Sequence, residues 1–253
     1  MTPKGHAALV TGGGSGLGAA TAAKLAALGA KVALLDVNIA AARSVAAGFG
    51  GMAIACDVAD ADATAAAIAE ARSKHGPARI LINCAGIAPA KRIVGRDGPM
   101  PLDAFEQVIK VNLIGTFNAL RLAAADMATL DPLEDEERGV IVSTASVAAF
   151  DGQIGQAAYA ASKGGVASLM LPAARELAQY GIRVCAIAPG IFATPMLRGL
   201  PEEVQQSLAA SVPFPKLLGK PEQYADLVLH IIENRYLNGE VIRIDGSLRM
   251  APR

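Results

Sequence analysis

The sequence predicts an α/β domain in which one doubly wound parallel sheet of about seven strands carries helices on both faces. Short apolar runs rich in β-branched residues recur along the chain, and Ala-rich helical stretches separate most of them. This alternation predicts a parallel sheet, because parallel neighbours need a crossover connection and a helix can supply it. The predicted strands span residues 7–11, 31–36, 52–56, 79–83, 139–145, 182–188 and 241–244.

Length and composition predict a single domain over residues 1–253, because doubly wound sheets commonly reach that size without splitting. Hydrophobic residues make up 53% of the chain, which is enough for a sizeable core. The 23 basic side chains balance the 23 acidic ones, so the charge pattern predicts neither a nucleic-acid partner nor a membrane partner. A small-molecule enzyme fits this balance.

The cysteines and histidines predict no metal site and no disulfide framework, because they are dispersed and the number of cysteines is odd. The first strand begins near residue 7, which leaves no room for the apolar stretch of a signal peptide. We therefore expect a cytoplasmic protein, or one of the mitochondrial matrix if the source is eukaryotic, although no transit peptide is recognisable. The residues concerned are Cys56, Cys84, Cys185, His6, His75 and His230.

The first strand leads into a glycine-rich turn and then a helix. Gly12, Gly16 and Gly18 can take positive φ and let a diphosphate approach the amides at the start of the helix. Their spacing differs from the G-x-G-x-x-G fingerprint, so an ordinary tight turn is the alternative on spacing alone. The second strand ends in Asp36, where a Rossmann unit places the carboxylate that binds the adenosine ribose. Together these positions predict a dinucleotide site.

The later strands also end in polar or turn residues. Asp57 and Val58 follow the third strand, Asn83 ends the fourth, Ser146 follows the fifth, and Pro189 follows the sixth. Because the carboxyl ends of parallel strands lie at one edge of the sheet, these residues should converge on one crevice.

Tyr159 and Lys163 stand at i and i+4 of a predicted helix, so their side chains share one face. An ammonium group near a phenol lowers the pKa of the phenol, which would make Tyr159 a proton acceptor. A solvated pair on a surface helix is the alternative reading. Ser146, at the end of a strand just upstream, can meet this helix.

With these residues the chain resembles the short-chain dehydrogenase/reductase family. Within it, the chain is most similar to the type II 3-hydroxyacyl-CoA dehydrogenases, also called type 10 17β-hydroxysteroid dehydrogenases. The family motifs are matched by Thr11 to Gly18, Asn83-Cys84-Ala85-Gly86, Asn112, and Ser146 with Tyr159 and Lys163. The narrower resemblance rests on Asn-Cys-Ala-Gly, on the residues around Gln156, on Pro189-Gly-Ile-Phe-Ala-Thr-Pro, on Val212-Pro-Phe-Pro and on the ending from Leu237 to Gly246.

The resemblance implies an NAD-dependent oxidoreductase that interconverts (S)-3-hydroxyacyl-CoA and 3-oxoacyl-CoA. It implies that Tyr159 is the acid or base, that Ser146 orients the substrate oxygen, that Lys163 also holds the nicotinamide ribose, and that Asn112 helps to position a water. The alternative for Asn112 is a polar residue that distorts its helix. The implied substrate contacts are Ser146, Gln156 and Tyr159. The implied cofactor contacts are Gly12, Ser15, Gly16, Leu17, Gly18, Asp36, Asp57, Val58, Asn83, Cys84, Ala85, Gly86, Tyr159, Lys163, Pro189, Phe192 and Thr194.

Asp36 favours NAD over NADP, because a carboxylate accepts the ribose hydroxyls and repels a 2′-phosphate. Ser15, Val37 and Asn38 occupy the positions at which NADP-dependent members of the family often carry a cation. Cys84 stands where the general family has Asn, and its small size suits packing better than a redox role.

Residues 191–214 are apolar and interrupted by prolines, and they have no obvious packing partner in a doubly wound sheet, so we expect a substrate lid. Lys91, Arg92 and Arg96 lie in the loop after the fourth strand; they could meet the phosphates of CoA or could be solvated charges. The resemblance also implies a homotetramer. Alternative functions are a hydroxysteroid or other secondary-alcohol dehydrogenase and, in another class, a non-catalytic dinucleotide-binding scaffold.

Overall fold

A computed structural model of the chain describes residues 1–199 and 201–252. Seven parallel strands form one sheet in the order β3-β2-β1-β4-β7-β8-β9, and a short antiparallel hairpin, β5-β6, stands apart. The strands are β1 Ala7–Thr11, β2 Lys31–Asp36, β3 Met52–Ala55, β4 Ile80–Asn83, β5 Val94–Gly95, β6 Gly98–Pro99, β7 Gly139–Thr144, β8 Ile182–Pro189 and β9 Val241–Ile244. The predicted fold class is confirmed.

Helices connect the strands of the large sheet. They are α1 Gly16–Ala27, α2 Ile39–Ala47, α3 Ala61–His75, α4 Leu102–Ile109, α5 Gly115–Ala128, α6 Ala157–Leu177, α7 Pro195–Arg198, α8 Glu202–Ala210 and α9 Pro221–Glu233. A π-helical turn, Lys110–Ile114, joins α4 to α5, and single 3-10 turns lie at Glu134–Glu136, Val147–Ala149 and Ala178–Tyr180.

The central strands are buried on both faces, which is why they appear in the sequence as continuous apolar runs. Successive residues of β4 point to opposite faces, as the pleat requires. Leu81 packs in a cluster with Ala123 of α5 and Met170 of α6. Its neighbour Ile80 packs on the other face, in a cluster with Leu25 of α1. The sheet therefore separates two cores.

The structure differs from the sequence prediction mainly at element ends. The third predicted strand stops at Ala55 and the fifth at Thr144, and the sixth continues through Pro189. The hairpin β5-β6 was not predicted, because two paired residues on each side leave no periodic pattern. These differences do not move any strand in the sheet.

The continuous helical stretch Leu102–Ala128 is long and apolar enough to cross a membrane by length and composition, with a mean hydropathy of 1.2 over its most apolar 18 residues. Half of those 18 residues are buried inside the protein, and Met127 of the same stretch belongs to the core. Two of its buried side chains, Asn112 and Asn118, are polar amides. Packing in this core explains why the helix is apolar.

Candidate active site

The glycine turn between β1 and α1 lies against the segment that follows β4. Gly12 has φ +64°, and a Cβ placed on it would stand 2.7 Å from the amide nitrogen of Ala85. A Cβ on Gly18 would stand 2.2 Å from the carbonyl oxygen of Gly12. Only glycine fits either position. Ser15, the residue before α1, makes no capping hydrogen bond through its side chain, so the first amides of the helix can donate hydrogen bonds to a diphosphate.

Asp36 holds its carboxylate beside this turn through two backbone hydrogen bonds. Oδ2 accepts from the amide of Gly14 and Oδ1 from the amide of Asn38, both at 2.8 Å. Asn38 in turn caps α2 by accepting from Ala41 at 3.1 Å. The carboxylate is therefore fixed at the end of β2, at the mouth of the crevice.

The segments after β3 and β4 line the same crevice. The side chain of Asp57 accepts from the amide of Ala59 at 2.9 Å. Val58 is buried, and a Cβ on Gly115 of α5 would stand 2.8 Å from its Cγ2. Because its side chain points towards α5, Val58 can contribute only its main chain to the crevice. That orientation is compatible with the predicted adenine contact.

Asn83 and Gly86 bring the end of β4 close to Lys163. Asn83 is buried and donates to Ser143 Oγ at 3.3 Å, and its Oδ1 has no hydrogen-bond partner among the described residues. A Cβ on Gly86 would stand 3.2 Å from Asn112 Oδ1 and 3.5 Å from Lys163 Nζ. Gly86 thus lets the chain pass between these two side chains.

Asn112 lies in the π-helical turn and is fully buried. Its Oδ1 accepts from the amide of Ile87 at 2.8 Å, and its Nδ2 donates to the carbonyl of Ile87 at 2.9 Å and to Ser162 Oγ at 3.0 Å. Ser162 donates onward to the carbonyl of Tyr159 at 2.7 Å. Both amide hydrogens are used, so the side chain joins the loop after β4 to α6. The predicted role in holding a water stays a prediction.

Tyr159, Lys163 and Ser146 come together where α6 begins beside the end of β7. Lys163 Nζ lies 5.9 Å from the centroid of the Tyr159 ring and donates to the carbonyl of Thr144 at 2.6 Å. Ser146 Oγ accepts from the amide of Ala148 at 3.1 Å, and its own hydroxyl hydrogen can donate to a substrate oxygen.

Burial controls the charge state of this pair. It raises the pKa of Tyr159, and the nearby Ser146 side chain opposes that rise. Burial also lowers the pKa of Lys163 to about 8. The sequence led us to expect a lowered pKa for Tyr159, whereas its pKa is raised in this structure, because burial disfavours the charged phenolate. At neutral pH the phenol therefore keeps its proton.

The segment after β8 closes the far side of the crevice. Pro189 ends the strand, and Phe192 is buried, with its ring edge-on to that of Tyr224 at 6.5 Å. Thr194 stands opposite the glycine turn, since a Cβ on Gly16 would lie 3.3 Å from Thr194 Cγ2. Leu17, in the first turn of α1, packs against the core on that face.

The predicted lid, residues 191–214, is anchored at both ends, so the expectation that it lacks packing partners is wrong there. Phe192 forms a bridge with Gly219, and Val212 is buried beside Gly246. Between these ends lie α7 and α8, and α8 has no buried residue. Residue 200 of this segment lies outside the described residues. The sequence did not reveal the anchors because Gly219 and Gly246 carry no side chain that signals a contact.

Gln156 lies at the start of α6, and its Oε1 accepts from the amide of Gln153 at 3.0 Å. The end of the chain secures the same loop, because the carbonyl of Pro252 accepts from Ile154 at 3.0 Å and the carbonyl of Ala251 accepts from Gln153 at 2.9 Å. Sequence reasoning identified neither this support by the C-terminal residues nor the burial of Tyr224. Each involves contacts between residues that lie far apart in the sequence, such as Gln153 with Ala251 and Thr144 with Tyr224.

A family profile described as short chain dehydrogenase matches residues 6–205. A curated protein of Bos taurus named 3-hydroxyacyl-CoA dehydrogenase type-2 is 51% identical, over 98% of this chain and 97% of its own length. A Homo sapiens protein named (3R)-3-hydroxyacyl-CoA dehydrogenase is 34% identical, over 96% of this chain and 95% of its own length. The chain also matches the crystal structure of 3-hydroxyacyl-CoA dehydrogenase type-2 from Mycobacterium avium, with 40% identity and a TM-score of 0.92. The match covers 100% of each of the two chains.

Proposed function

Because the chain belongs to the short-chain dehydrogenase family and is therefore an oxidoreductase, we propose that it interconverts (S)-3-hydroxyacyl-CoA and 3-oxoacyl-CoA with NAD. The observation that carries this proposal is that Ser146, Tyr159 and Lys163 lie together in the crevice that the glycine turn after β1 also lines. The higher identity to a type-2 enzyme than to the relative named for the (3R) substrate supports the (S) configuration.

The family implies a nicotinamide dinucleotide, and the residues fit one. The turn at Gly12 and Gly18 has no room for side chains, and the amides that start α1 can meet a diphosphate. When bound, the dinucleotide supplies the hydride acceptor or donor. Asp36 supports NAD, because its carboxylate stands fixed at the crevice mouth, where it would accept ribose hydroxyls and repel a phosphate.

Tyr159 holds and moves the proton. In the reductive direction its protonated phenol donates to the substrate oxygen while the hydroxyl of Ser146 hydrogen-bonds that oxygen. In the oxidative direction the phenol must first lose its proton, so oxidation should speed up as the pH rises. Lys163 holds a positive charge near the ring and would bind the nicotinamide ribose.

The loop that follows β4 supports a CoA ester. Lys91, Arg92 and Arg96 are exposed, and the amide of Lys91 donates to the carbonyl of Gly155 at 2.8 Å. Gly155 directly precedes Gln156, so Lys91 at least lies beside the predicted substrate contact. Cations there can bind the phosphates of CoA. A steroid offers no phosphate to them.

We also propose that the enzyme works in a reducing compartment, the cytoplasm or, in a eukaryote, the mitochondrial matrix. Cys56, Cys84 and Cys185 are all free thiols. Disulfides are uncommon in such compartments.

An absorbance assay at 340 nm with acetoacetyl-CoA and NADH tests the proposed function directly. We expect NADH to be consumed, and we expect a hydroxysteroid with NAD to react far more slowly. Absence of turnover with the CoA ester, combined with intact NADH binding, would favour the non-catalytic scaffold instead.

Replacing Tyr159 by Phe should lower kcat by ~10²–10⁴, because the variant loses its positioned acid or base. NADH affinity should stay nearly unchanged. Tyr236→Phe is the matched control, since Tyr236 is 99% exposed. Steady-state kinetics and NADH titration measure both quantities. Turnover above about a tenth of wild type would show that Tyr159 has another role.

NAD should be preferred over NADP by at least ~100-fold in kcat/KM, which corresponds to about 2.7 kcal/mol. Asp36→Ala should weaken NAD binding and narrow this preference, because it removes both the acceptor and the negative charge. Asp62→Ala, at an exposed site in the first turn of α3, is the control. Similar kcat/KM values for the two cofactors in the wild-type enzyme would contradict this prediction.

The protein should form a homotetramer, in which the helices that carry Asn112 and Tyr159 and the C-terminal strands pair across two-fold axes. A groove of about 420 Å³ lies between α5 and α6, and Phe117 at its edge is 47% exposed. Light scattering at micromolar concentration should give four times the chain mass of 25.8 kDa. Phe117→Arg should reduce that mass, whereas Ile93→Arg, at an exposed site just before the hairpin β5-β6, should not. A monomeric wild-type mass would refute the assembly.

Substrate and cofactor together should order the middle of the lid. Amides at its anchored ends, near Phe192 and Val212, should be protected from hydrogen exchange with or without ligands. Amides of α8 should exchange quickly in the free enzyme, because none of its residues is buried. NAD together with a 3-hydroxyacyl-CoA should slow their exchange as the segment closes over the crevice. Hydrogen exchange with mass spectrometry measures this, and β7 provides an internal reference. Equal exchange with and without both ligands would show a fixed wall.

A further inference from the structure

A series of hydrogen-bonded polar groups, buried behind Lys163, includes a tyrosine and a threonine to which the proposed chemistry gives no role. Tyr224 of α9 is fully buried, and its Oη lies 2.7 Å from Thr144 Oγ1. Thr144 Oγ1 lies 2.6 Å from the carbonyl oxygen of Asn83. The Cys84 sulfur lies 3.8 Å from Tyr224 Oη. These groups join the ends of β4 and β7 to α9.

Each hydroxyl has a single hydrogen to donate, and this fixes which group donates and which accepts in each of these hydrogen bonds. The carbonyl of Asn83 can only accept, so the single hydroxyl hydrogen of Thr144 points to it. Cys84 Sγ is a second acceptor for that hydrogen at 3.5 Å, but it is more distant and weaker. Thr144 Oγ1 must then accept from Tyr224, and Tyr224 Oη can accept from the thiol of Cys84. Burial raises the pKa of Cys84, which keeps that thiol protonated.

The same threonine holds Lys163 through its main chain. The Thr144 carbonyl accepts from Lys163 Nζ at 2.6 Å, and the exposed fraction of Lys163 is 4%. This hydrogen bond involves a charged donor in a site with little water, so its geometry matters more than that of a surface contact. Tyr224 therefore holds the side chain of Thr144, and the main-chain carbonyl of Thr144 holds Lys163.

A phenylalanine would fill the volume of Tyr224 without a hydroxyl to satisfy, and burying a hydroxyl is costly unless it is hydrogen-bonded. The hydroxyl must therefore contribute something other than volume. We propose that Tyr224 is a positioning residue, which through Thr144 holds the Lys163 ammonium in place for the reaction. This inference rests on the proposed function for its catalytic meaning, whereas the effect of Tyr224 on Lys163 can be measured without any substrate.

The direct test is the titration of Lys163 by NMR of lysine side chains labelled with 13C, in the full chain, with the Lys163 signal assigned from its absence in Lys163→Met. The titratable groups that face Lys163 are Tyr159 on its own helix and Cys84 after β4. The wild-type midpoint should lie at about pH 8. Tyr224→Phe should lower it by about half a unit, or threefold, since a carbonyl of Thr144 that is less well placed stabilises the charged form of Lys163 less.

Tyr236→Phe, at the exposed tyrosine, should leave the midpoint unchanged. If Tyr224→Phe does not fold, Thr144→Val and Thr144→Ser replace it. The valine lacks the hydroxyl and should lower the midpoint, while the serine retains it and should restore the wild-type value. A midpoint that stays the same, or rises, in Tyr224→Phe or in Thr144→Val would overturn the inference.

Kinetics complete the test. With acetoacetyl-CoA and NADH, Tyr224→Phe should lower kcat by at least about threefold with KM unchanged, because misplacement of a positioned group slows the chemical step. The alkaline limb of its kcat/KM profile should move to lower pH with the NMR midpoint. If the wild-type enzyme does not turn over, the proposed function fails and the NMR result still decides the role of Tyr224. If it turns over and Tyr224→Phe matches it in both kcat and midpoint, the inference alone fails.

Discussion

The burial of one ammonium group constrains the centre of this molecule. A charge removed from water is strongly unfavourable unless it is paired or hydrogen-bonded, and Lys163 is almost wholly enclosed. Its described hydrogen-bond acceptor is a main-chain carbonyl at the end of β7, so the position of α6 is tied to the end of that strand. The loop after β4 passes close to this nitrogen at Gly86, where the absence of a side chain leaves room for it. Sheet, helix and crossing loop therefore fit together around a single nitrogen atom.

The sheet order explains why the other functional candidates lie near that nitrogen. β1 pairs with β2 on one side and with β4 on the other, so the connections after β1 and β4 leave in opposite directions and open a crevice between them. The turn at Gly12 contacts the segment at Ala85 within this crevice. A parallel sheet places the carboxyl ends of all its strands at one edge. Residues from distant parts of the sequence therefore meet there without any long loop.

Much of this could be predicted from sequence, because the signals are local. The seven long strands lie within a residue or so of their predicted positions, and the family resemblance carried by the glycine turn and by Tyr159 with Lys163 is confirmed. The neighbours of those residues could not be predicted. Tyr224 lies on a helix whose pattern shows only an amphipathic surface, and no periodicity links it to Thr144. The direction of the Tyr159 pKa shift also depends on burial, which a sequence separation of four does not describe.

The π-helical turn at Lys110–Ile114 has a consequence for how this chain tolerates insertions and deletions. An α-helix turns about 100° per residue, and a π turn accommodates one extra residue within a helix. The extra residue is absorbed within the turn, so α4 and α5 keep their faces in place on either side of it. Deleting one residue within the turn would let a regular α-helix join α4 to α5, but it would shift the residues of the turn itself, and Asn112 would then leave Ile87. Deleting one residue from α5 instead would rotate the rest of that helix by about 100° and would take Met127 out of the core.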